Sequence, residues 1–234
     1  MNIERMNIAL VGYGKMGRLI EELAVAAGDQ IVIRLDEINN EGGAGITGQN
    51  FENVDVAIEF TMPDTVVSNI NRLAALGVNM VVGTTGWASE MEHVKQIVEE
   101  RHIGLVHSAN FSIGVNVFQK LVSEAARLLA HQSTYESWAW EIHHSAKKDA
   151  PSGTLLKLVT EMRASGWDRA VDTASNRAGA IPGTHEIGFD SAADTITLRH
   201  TARSREGFAR GALQAAHWIA GKQGFYEFSE IIFR

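Results

Sequence analysis

The densest group of chemically reactive side chains lies in the segment 141–154. It holds two adjacent imidazoles, His143 and His144, followed by two ammonium groups, Lys147 and Lys148. A histidine titrates near neutral pH and can supply a proton. Lysines close to a helix N-terminus, where backbone amides lack partners, favour the binding of an anion. The segment therefore predicts proton transfer to an anionic substrate, and two lysines suit a dianion.

The end of this segment has the composition of a helix start. Pro151 fits the first turn of a helix, where its missing N–H leaves no bond unmade. Ser152, Gly153 and Thr154 would then present amides and hydroxyls to a carboxylate. Paired histidines can also bind a metal, but neighbours on a strand point to opposite faces and no third ligand stands at a suitable spacing, so we expect no metal site. A solvated surface loop is the other alternative, since lysines are usually exposed.

A second motif lies near the start of the chain. Gly12, Gly14 and Gly17 form Gly-x-Gly-x-x-Gly directly after the apolar run 8–11. In dinucleotide-binding folds the first glycine allows a tight turn, the second lets a pyrophosphate approach the backbone, and the third lets helix and strand pack closely. The helix N-terminus then faces the phosphates. The motif predicts dinucleotide binding, with a purely structural glycine turn as the alternative.

Asp36 stands nineteen residues after Gly17, at the end of the second apolar run. A carboxylate at this position accepts hydrogen bonds from the adenosine ribose and repels a 2′-phosphate. We therefore expect NADH to be slightly favoured over NADPH. A turn cap is the alternative, because aspartate often bonds to nearby backbone in loops.

Small and polar residues follow two further apolar runs, at 78–82 and 103–107. They are Gly83, Thr84 and Thr85 after the first run, and Ser108, Ala109, Asn110 and Phe111 after the second. Open α/β sheets bind ligands at the carboxyl ends of such strands. The two threonine hydroxyls can bond to a ligand, and Asn110 can serve either a carboxamide or the backbone. A plain loop at 83–86 remains the alternative.

The elements that position these residues fall into two patterns. Up to Asn110 short apolar runs alternate with helical stretches, which predicts a parallel sheet covered on both faces. A glycine-rich stretch between Leu35 and Val54 predicts a loop. After Asn110 long helices at 115–130, 155–162 and 207–220 alternate with strand-like segments at 135–144 and 195–201. The fold class is thus α/β, with a Rossmann-type dinucleotide-binding domain at 1–112 and 206–234. A second α+β domain, with a mixed or antiparallel sheet, spans 113–205.

Composition excludes several classes of protein. The 234 residues are 45% hydrophobic and 21% charged with only 3 prolines, as in an ordinary globular protein. The absence of cysteine excludes disulfides and thiolate chemistry. A net charge of −7 argues against a nucleic-acid partner. We expect no membrane partner and a cytoplasmic location, because no signal core or long apolar run is present. Met1-Asn2-Ile3 repeats at Met6, so the residues before Met6 are expected to be an extension or an alternative start.

Several motifs together resemble one family, the 4-hydroxy-tetrahydrodipicolinate (dihydrodipicolinate) reductases of bacterial lysine and diaminopimelate synthesis. The most specific is Glu-x-His-His-x-x-Lys-x-Asp-Ala-Pro-Ser-Gly-Thr at 141–154. The other matches are Val82 to Gly86, Asn110 to Asn116, Arg177-x-Gly179, Gly183-x-His185-Glu186 and Arg199-His200-x-Ala202-x-Ser204-Arg205. The resemblance extends in order along almost the whole chain.

The resemblance implies a role for each matching residue. His143 matches the proton-donating histidine and Lys147 the catalytic lysine, while His144, Gly153 and Thr154 match substrate-binding positions. The implied cofactor contacts are Gly12, Tyr13, Gly14, Lys15, Met16, Gly17, Asp36, Gly83, Thr84, Thr85, Ser108, Ala109, Asn110 and Phe111.

The activity implied by the resemblance is reduction of 4-hydroxy-tetrahydrodipicolinate, via dihydrodipicolinate, to tetrahydrodipicolinate. The cofactor would be NADH, NADPH or both, the substrate a small dicarboxylate, and the assembly a homotetramer built by the second domain. Two alternatives stay open. One is another two-domain NAD(P)-dependent dehydrogenase of an amino-acid precursor, and the other is a nucleotide-sensing protein without turnover.

Overall fold

The computed structural model of the protein describes residues 5–233 and divides the chain into two compact units. Of the described residues, unit 1 comprises 5–112 and 208–233, and unit 2 comprises 113–207. Met1 to Ile3, the first copy of the short repeat, lies outside the described residues. None of the helices in the described part of the chain is both long and apolar enough to cross a membrane.

Unit 1 contains a six-stranded parallel sheet in the order β10-β5-β4-β3-β1-β2. Its strands are β1 (Asn7–Val11), β2 (Gln30–Leu35), β3 (Val56–Glu59), β4 (Asn79–Val82), β5 (Gly104–His107) and β10 (Gly224–Glu227). Its helices are α1 (Lys15–Ala27), α2 (Gly48–Phe51), α3 (Val66–Ala75), α4 (Met91–Glu100), most of α7 (Glu206–Ile219) and α8 (Phe228–Ile232). The Rossmann-type parallel sheet expected from the apolar runs is confirmed.

Alternate residues of β1 show why the central strands are apolar throughout. Ile8 and Leu10 pack on one side of the sheet in the core that contains α1, α7 and α8. Ala9 and Val11 pack on the other side in the core that contains α3 and α4. Because both faces are covered, neither can carry polar residues without cost. Alanines in α7 allow that helix to approach the sheet closely.

The loop expected between Leu35 and Val54 is more ordered than the glycines suggested. A short 3₁₀ turn spans Glu41–Gly43, and α2 follows. The Thr47 hydroxyl caps α2 by accepting a hydrogen bond from the Asn50 amide at 3.3 Å. Phe51 is buried in the core of unit 1. The segment is therefore a connection without a strand, as expected, in which one buried aromatic residue anchors a single helical turn.

Unit 2 has a four-stranded mixed sheet in the order β7-β6-β8-β9. Its strands are β6 (Glu136–His143), β7 (Val171–Arg177), β8 (Gly183–Asp190) and β9 (Thr195–Ala202), and its helices are α5 (Ile113–Leu129) and α6 (Gly153–Ala164). β6 pairs parallel with β7 and antiparallel with β8, and β8 pairs antiparallel with β9. Phe118, Leu155 and Leu158 of the helices share a core with Ala139 and Ile187 of the sheet. The mixed sheet is confirmed, although β7 and β8 were not predicted.

Candidate active site

The three glycines of the first motif have different surroundings. Gly12 has φ +102°, and a Cβ there would lie 2.0 Å from the Phe60 carbonyl oxygen. A Cβ on Gly17 would lie 2.4 Å from the Gly12 oxygen. Around the Cβ position of Gly14, which caps the N-terminus of α1, no atom lies within 4 Å. Gly12 and Gly17 therefore shape the turn, while Gly14 leaves open space where a pyrophosphate would meet free amides.

Tyr13, within this turn, takes part in a polar group beside α1. Its hydroxyl donates to Glu21, and Arg34 Nε donates to Glu21 Oε1 at 2.9 Å. The Arg18 guanidinium lies 4.6 Å from the Tyr13 ring centre. Hydrogen bonds from Arg34 and Tyr13 lower the pKa of Glu21. Arg34, the cation nearest in sequence to Asp36, is thus already paired.

Asp36 caps a turn through one carboxylate oxygen. Its Oδ1 accepts hydrogen bonds from the amides of Ile38 at 2.9 Å and Asn39 at 3.0 Å. These backbone bonds lower the pKa of Asp36 and keep the carboxylate ionised. The alternative role as a turn cap is therefore present in the structure. The other carboxylate oxygen of Asp36, Oδ2, takes part in neither of these two bonds.

A recess opens at the carboxyl ends of β4 and β5. Thr84, Thr85, Ser108 and Ala109 line it, together with the ring of His107. The Thr84 hydroxyl is buried, donates to Glu59 Oε2 at 2.6 Å and accepts from the Thr61 amide at 2.7 Å. Of the two threonine hydroxyls expected to meet a ligand, Thr84 is therefore used internally, whereas Thr85 is exposed.

The polar side chains after β5 form hydrogen bonds with nearby backbone groups. Asn110 Oδ1 accepts from the Ser112 amide at 2.9 Å, which is the backbone role among the two proposed for it. The Phe111 ring packs in the core, 4.9 Å from the Phe228 ring centre. Because this side chain is buried, a cofactor would meet Phe111 only through main-chain atoms.

In unit 2 the strand register assembles a row of polar residues across the whole sheet. Glu141 of β6 lies opposite Ser175 of β7 and His185 of β8, and His185 lies opposite His200 of β9. Glu141 and His143 share the buried face of β6. The sheet thus brings together residues that are far apart in sequence.

Glu141 is fully buried and saturated with hydrogen-bond donors. Its Oε1 accepts from the Ser152 amide, the Ser175 hydroxyl and an Arg177 guanidinium nitrogen, each at 2.9 Å. Its Oε2 accepts from the Ser152 hydroxyl. Burial alone would raise the pKa of Glu141, but the bonds from Ser152, Arg177 and Ser175 outweigh it and lower the pKa to about 2. The group is a carboxylate at any physiological pH.

His143 is 7% exposed and has protein partners at both ring nitrogens. Nδ1 lies 3.3 Å from the Pro182 carbonyl oxygen. Nε2 lies 3.2 Å from Glu141 Oε2 and 3.3 Å from His185 Nε2. Burial lowers the pKa of His143, although the Glu141 charge opposes this shift. Burial and the neighbouring His143 lower the pKa of His185 to about 4.

Glu141, His143 and His185 also place three potential metal-ligand atoms within 4.8 Å of one another. This group contains His143 but not the adjacent His144, and its third member, His185, comes from another strand. Arg177 and the Ser152 hydroxyl already bond to the carboxylate. A cation would have to compete with these donors and with the guanidinium charge.

The predicted substrate-binding residues follow β6. His144 is half-buried. Lys147 Nζ contacts both carboxylate oxygens of Asp149 at 2.8 and 2.9 Å, and its side chain is 24% exposed. The Lys147 ammonium group is therefore already ion-paired, and a bound anion would have to share it with Asp149 or displace that carboxylate.

The start of α6 differs from the expected one. Pro151 lies before the cap, and Ser152 is the N-cap, with its hydroxyl accepting from the Leu155 amide at 3.2 Å. The first turn begins at Gly153, so the prediction that Pro151 lies within it was wrong. Ser152 uses its amide and hydroxyl on Glu141. The amides of Gly153 and Thr154 lie in the first turn, where the helix itself offers no acceptor.

Comparison with known proteins gives the family. A family model described as "Dihydrodipicolinate reductase, N-terminus" matches residues 6–111, and one described as "Dihydrodipicolinate reductase, C-terminus" matches residues 114–232. This chain belongs to the dihydrodipicolinate reductase family. The resemblance drawn from the motifs is thus confirmed.

Individual members of the dihydrodipicolinate reductase family match over their full length. A 4-hydroxy-tetrahydrodipicolinate reductase of Christiangramia forsetii is 35% identical, covering 97% of this chain and 98% of the relative. One from Archaeoglobus fulgidus is 34% identical, covering 97% and 100%. The structure of a dipicolinate-bound dihydrodipicolinate reductase from Paenisporosarcina sp. TG-14 matches with a TM-score of 0.83 at 20% identity, covering 97% and 99%. This last match supports the fold.

The quoted motifs of the dihydrodipicolinate reductase family include residues for which no role was expected. Arg177 and His185 stand in two of the quoted matches, and the structure places both against Glu141 or His143. Ser175 and Glu59 had no motif. An acid such as Glu59 within an otherwise apolar strand was a usable signal, because burial of a carboxyl requires hydrogen-bond donors.

Proposed function

We propose that this protein is a cytoplasmic, NAD(P)H-dependent 4-hydroxy-tetrahydrodipicolinate reductase of lysine and diaminopimelate biosynthesis. It reduces 4-hydroxy-tetrahydrodipicolinate, via dihydrodipicolinate, to tetrahydrodipicolinate. The observation that carries the proposal is the full-length similarity to proteins of that name together with the intact segment 141–154. A nicotinamide dinucleotide, when bound, supplies the hydride for this reduction.

Unit 1 provides the groups that hold the cofactor. The open space at Gly14 and the free amides of the first turn of α1 suit the pyrophosphate. Lys15, directly after this glycine, adds a positive charge. The exposed Thr85 hydroxyl and the main chain around Ser108 to Phe111 are the remaining contacts.

Asp36 Oδ2 is the acceptor we assign to the adenosine ribose. Arg34 is bonded to Glu21, and Arg18, whose charge acts on Asp36, lies against the Tyr13 ring. NADH is therefore slightly favoured over NADPH.

Unit 2 provides the groups that hold the dicarboxylate and complete the reaction. The Gly153 and Thr154 amides, with His144 and the Lys147 ammonium group, bind and neutralise the carboxylates. Neutralisation matters because a dianion resists accepting the electron pair of a hydride. His143 supplies the proton that the resulting enamine needs at carbon.

The assembly is proposed to be a homotetramer built by unit 2. Leu121 and Leu128 are 53% and 61% exposed on α5, and half-buried Trp138 and Trp140 lie on the sheet face opposite to Glu141. Apolar groups of this size favour burial against another surface. Light scattering of the purified protein would then give about four times the 25.5 kDa of one chain.

The test is an assay with purified protein, NADH or NADPH, and substrate made freshly from pyruvate and aspartate semialdehyde. Loss of reduced-nicotinamide absorbance only when protein and substrate are both present supports the reductase. Cofactor binding without oxidation would instead support the nucleotide-sensing alternative. Oxidation with other amino-acid precursors, but not with this substrate, would support a different dehydrogenase.

A further inference from the structure

The surroundings of His143 assign a partner to each of its protonation states. The charged and titratable groups that face it are Glu141 on its own strand, Arg177 on β7, His185 on β8 and Lys147 in the following loop. His200 on β9 lies beyond His185 and does not reach His143 in this row. Two of these groups, Glu141 and His185, are within hydrogen-bond distance of Nε2.

The Nδ1 side of the ring determines where the mobile proton sits. The Pro182 carbonyl oxygen, 3.3 Å from Nδ1, can only accept a hydrogen bond. Nδ1 therefore carries a proton whether His143 is charged or neutral. Gain and loss of a proton take place at Nε2.

Two different partners meet Nε2. When it is protonated, Nε2–H donates to the ionised carboxylate of Glu141 at 3.2 Å. When it is unprotonated, its lone pair faces a carboxylate oxygen that has no hydrogen to offer. His185 Nε2, 3.3 Å away, is the group at this position that can donate.

His185 has its own alternative partner for the charged state. Ser152 Oγ, 3.2 Å from His185 Nε2, donates its hydrogen to Glu141 and keeps a lone pair that can accept. Glu141 Oε2, 3.3 Å from His185 Nε2, is a second acceptor for the charged state. The His185 N–H can therefore bond to Ser152 or Glu141 while His143 is charged and to His143 when it is neutral. No large movement is required, because all three acceptors are already within 3.3 Å.

We infer that His185 is a positioning residue for His143, which it serves by donating a hydrogen bond to the unprotonated Nε2. This bond stabilises the neutral, Nδ1-protonated ring that remains after proton delivery. For that delivery Nε2–H must first leave the Glu141 carboxylate and turn to the substrate; the N–H bond then breaks, its electron pair stays on Nε2, and the proton passes to substrate carbon. The catalytic consequence rests on the proposed function, whereas the state of the imidazole does not.

The test is nitrogen NMR of histidine side chains in the full-length protein labelled with ¹⁵N-histidine, followed between about pH 5 and pH 9. The His143 signals are assigned by their loss in His143→Gln. In the wild type, neutral His143 is expected to carry its proton on Nδ1. In His185→Leu the titration midpoint of His143 should rise by about one unit, because Nε2 retains only the carboxylate and keeps its proton.

Two further variants serve as matched controls. His185→Gln places an amide N–H near the position of Nε2 and should restore the midpoint to within about 0.3 units of the wild type. His200→Gln changes the next histidine in the row and should leave the titration midpoint of His143 unchanged. In turnover assays the pH profile of His185→Leu should shift with the same sign, with little change in KM for NADH.

An unchanged His143 midpoint in folded His185→Leu overturns the inference, even where turnover falls. An Nε2-protonated neutral ring in the wild type also overturns it, as does His185→Gln titrating like His185→Leu. If His185→Leu does not fold, the inference is tested by two other measurements: the tautomer of neutral His143 in the wild type and the His143 titration midpoint in His185→Gln. A wild type that does not oxidise NADH refutes the proposed function alone, since the NMR result is independent of turnover.

Discussion

Lys147 and Lys148 are neighbours with different surroundings. Lys147 is ion-paired with Asp149 and partly buried, whereas Lys148 is exposed. Lys147 matches the catalytic lysine of the family motif at 141–154, which makes it the cation proposed to meet the substrate carboxylate. The pair therefore offers a built-in control for the proposed chemistry.

Replacing His143 or Lys147 by alanine should lower turnover by about 100-fold or more, the usual scale for loss of a positioned proton donor or charge. Lys148→Ala should retain near-wild-type turnover. The measurement is kcat with saturating NADH and substrate. Near-wild-type turnover of either variant would remove that residue from the chemistry.

Asp36 is the residue-scale test of cofactor preference. Asp36→Ala should raise KM for NADH by about 10-fold, the effect of losing a charge-assisted hydrogen bond, and should raise KM for NADPH less. Asp168→Ala, at an exposed aspartate of unit 2, is the control. Equal changes for the two cofactors would show that Asp36 acts only as the turn cap seen at Ile38 and Asn39.

Glu141 combines a buried charge with a buried partner. Glu141→Gln keeps the shape of the side chain but leaves the Arg177 guanidinium without its counter-charge, so the free energy of unfolding should fall by about 3 kcal/mol. Urea denaturation at neutral pH measures this loss. Glu186→Gln, at an exposed ion pair with Arg199, should change it by less than about 1 kcal/mol. Equal stabilities of the two variants would mean that Arg177 finds other partners.

At the scale of elements, the turn between β1 and α1 has one glycine needed for its conformation and another proposed to contact the cofactor. Gly12→Ala would push a methyl group to 2.0 Å from the Phe60 carbonyl and is expected to destabilise unit 1. Gly14→Ala meets no atom within 4 Å and should cost less than about 1 kcal/mol of stability as an N-cap change. The same methyl group would occupy the space proposed for the pyrophosphate.

NADH binding by Gly14→Ala should therefore weaken by about 10-fold or more while its thermal stability stays close to the wild type, as for loss of charge-assisted bonds. Fluorescence titration with NADH measures the affinity. Gly48→Ala, at the first residue of α2, is the matched control and should bind normally. Unchanged affinity in Gly14→Ala would favour the purely structural interpretation of the glycine turn.

Elements with a clear apolar period could be predicted from the sequence, and the others could not. The predicted strand at 8–11 and helix at 115–130 correspond to β1 and α5 within two residues at each end. β7 has the sequence Val-Asp-Thr-Ala-Ser-Asn-Arg and is largely exposed, so it carries no apolar signal. Its place in the sheet comes from pairing with β6, which is a tertiary effect.

The same limit applies to the site. The segment 141–154 located Glu141 and His143 because they are close in sequence. His185 is 42 residues from His143, and only the antiparallel register of β6 and β8 brings them together. Sequence spacing could therefore find the reactive strand but not the partner that faces it.

At the scale of the whole molecule, the two units place their buried titratable groups differently. In unit 1 burial raises the pKa of Glu59 and lowers that of His107, so acid affects these two groups in opposite directions. In unit 2 the pKa values of Glu141 and His185 are both lowered, to about 2 and about 4. A group with a lowered pKa in the fold loses its stabilising contribution as pH falls from its unfolded value toward its folded value.

Acid should therefore destabilise unit 2 before unit 1. Between about pH 6.5 and pH 4 the unfolded chain protonates its histidines while His185 in unit 2 stays neutral, and below about pH 4.5 Glu141 adds to the loss. Hydrogen exchange read by mass spectrometry, corrected for intrinsic rates, should show amides of β6 and β8 losing protection at pH 5 relative to about pH 7, while those of β1 and β3 change less. His185→Gln, which cannot titrate, should flatten this dependence in unit 2. Equal loss of protection in both units would show that the buried carboxylate–imidazole cluster does not control the acid response.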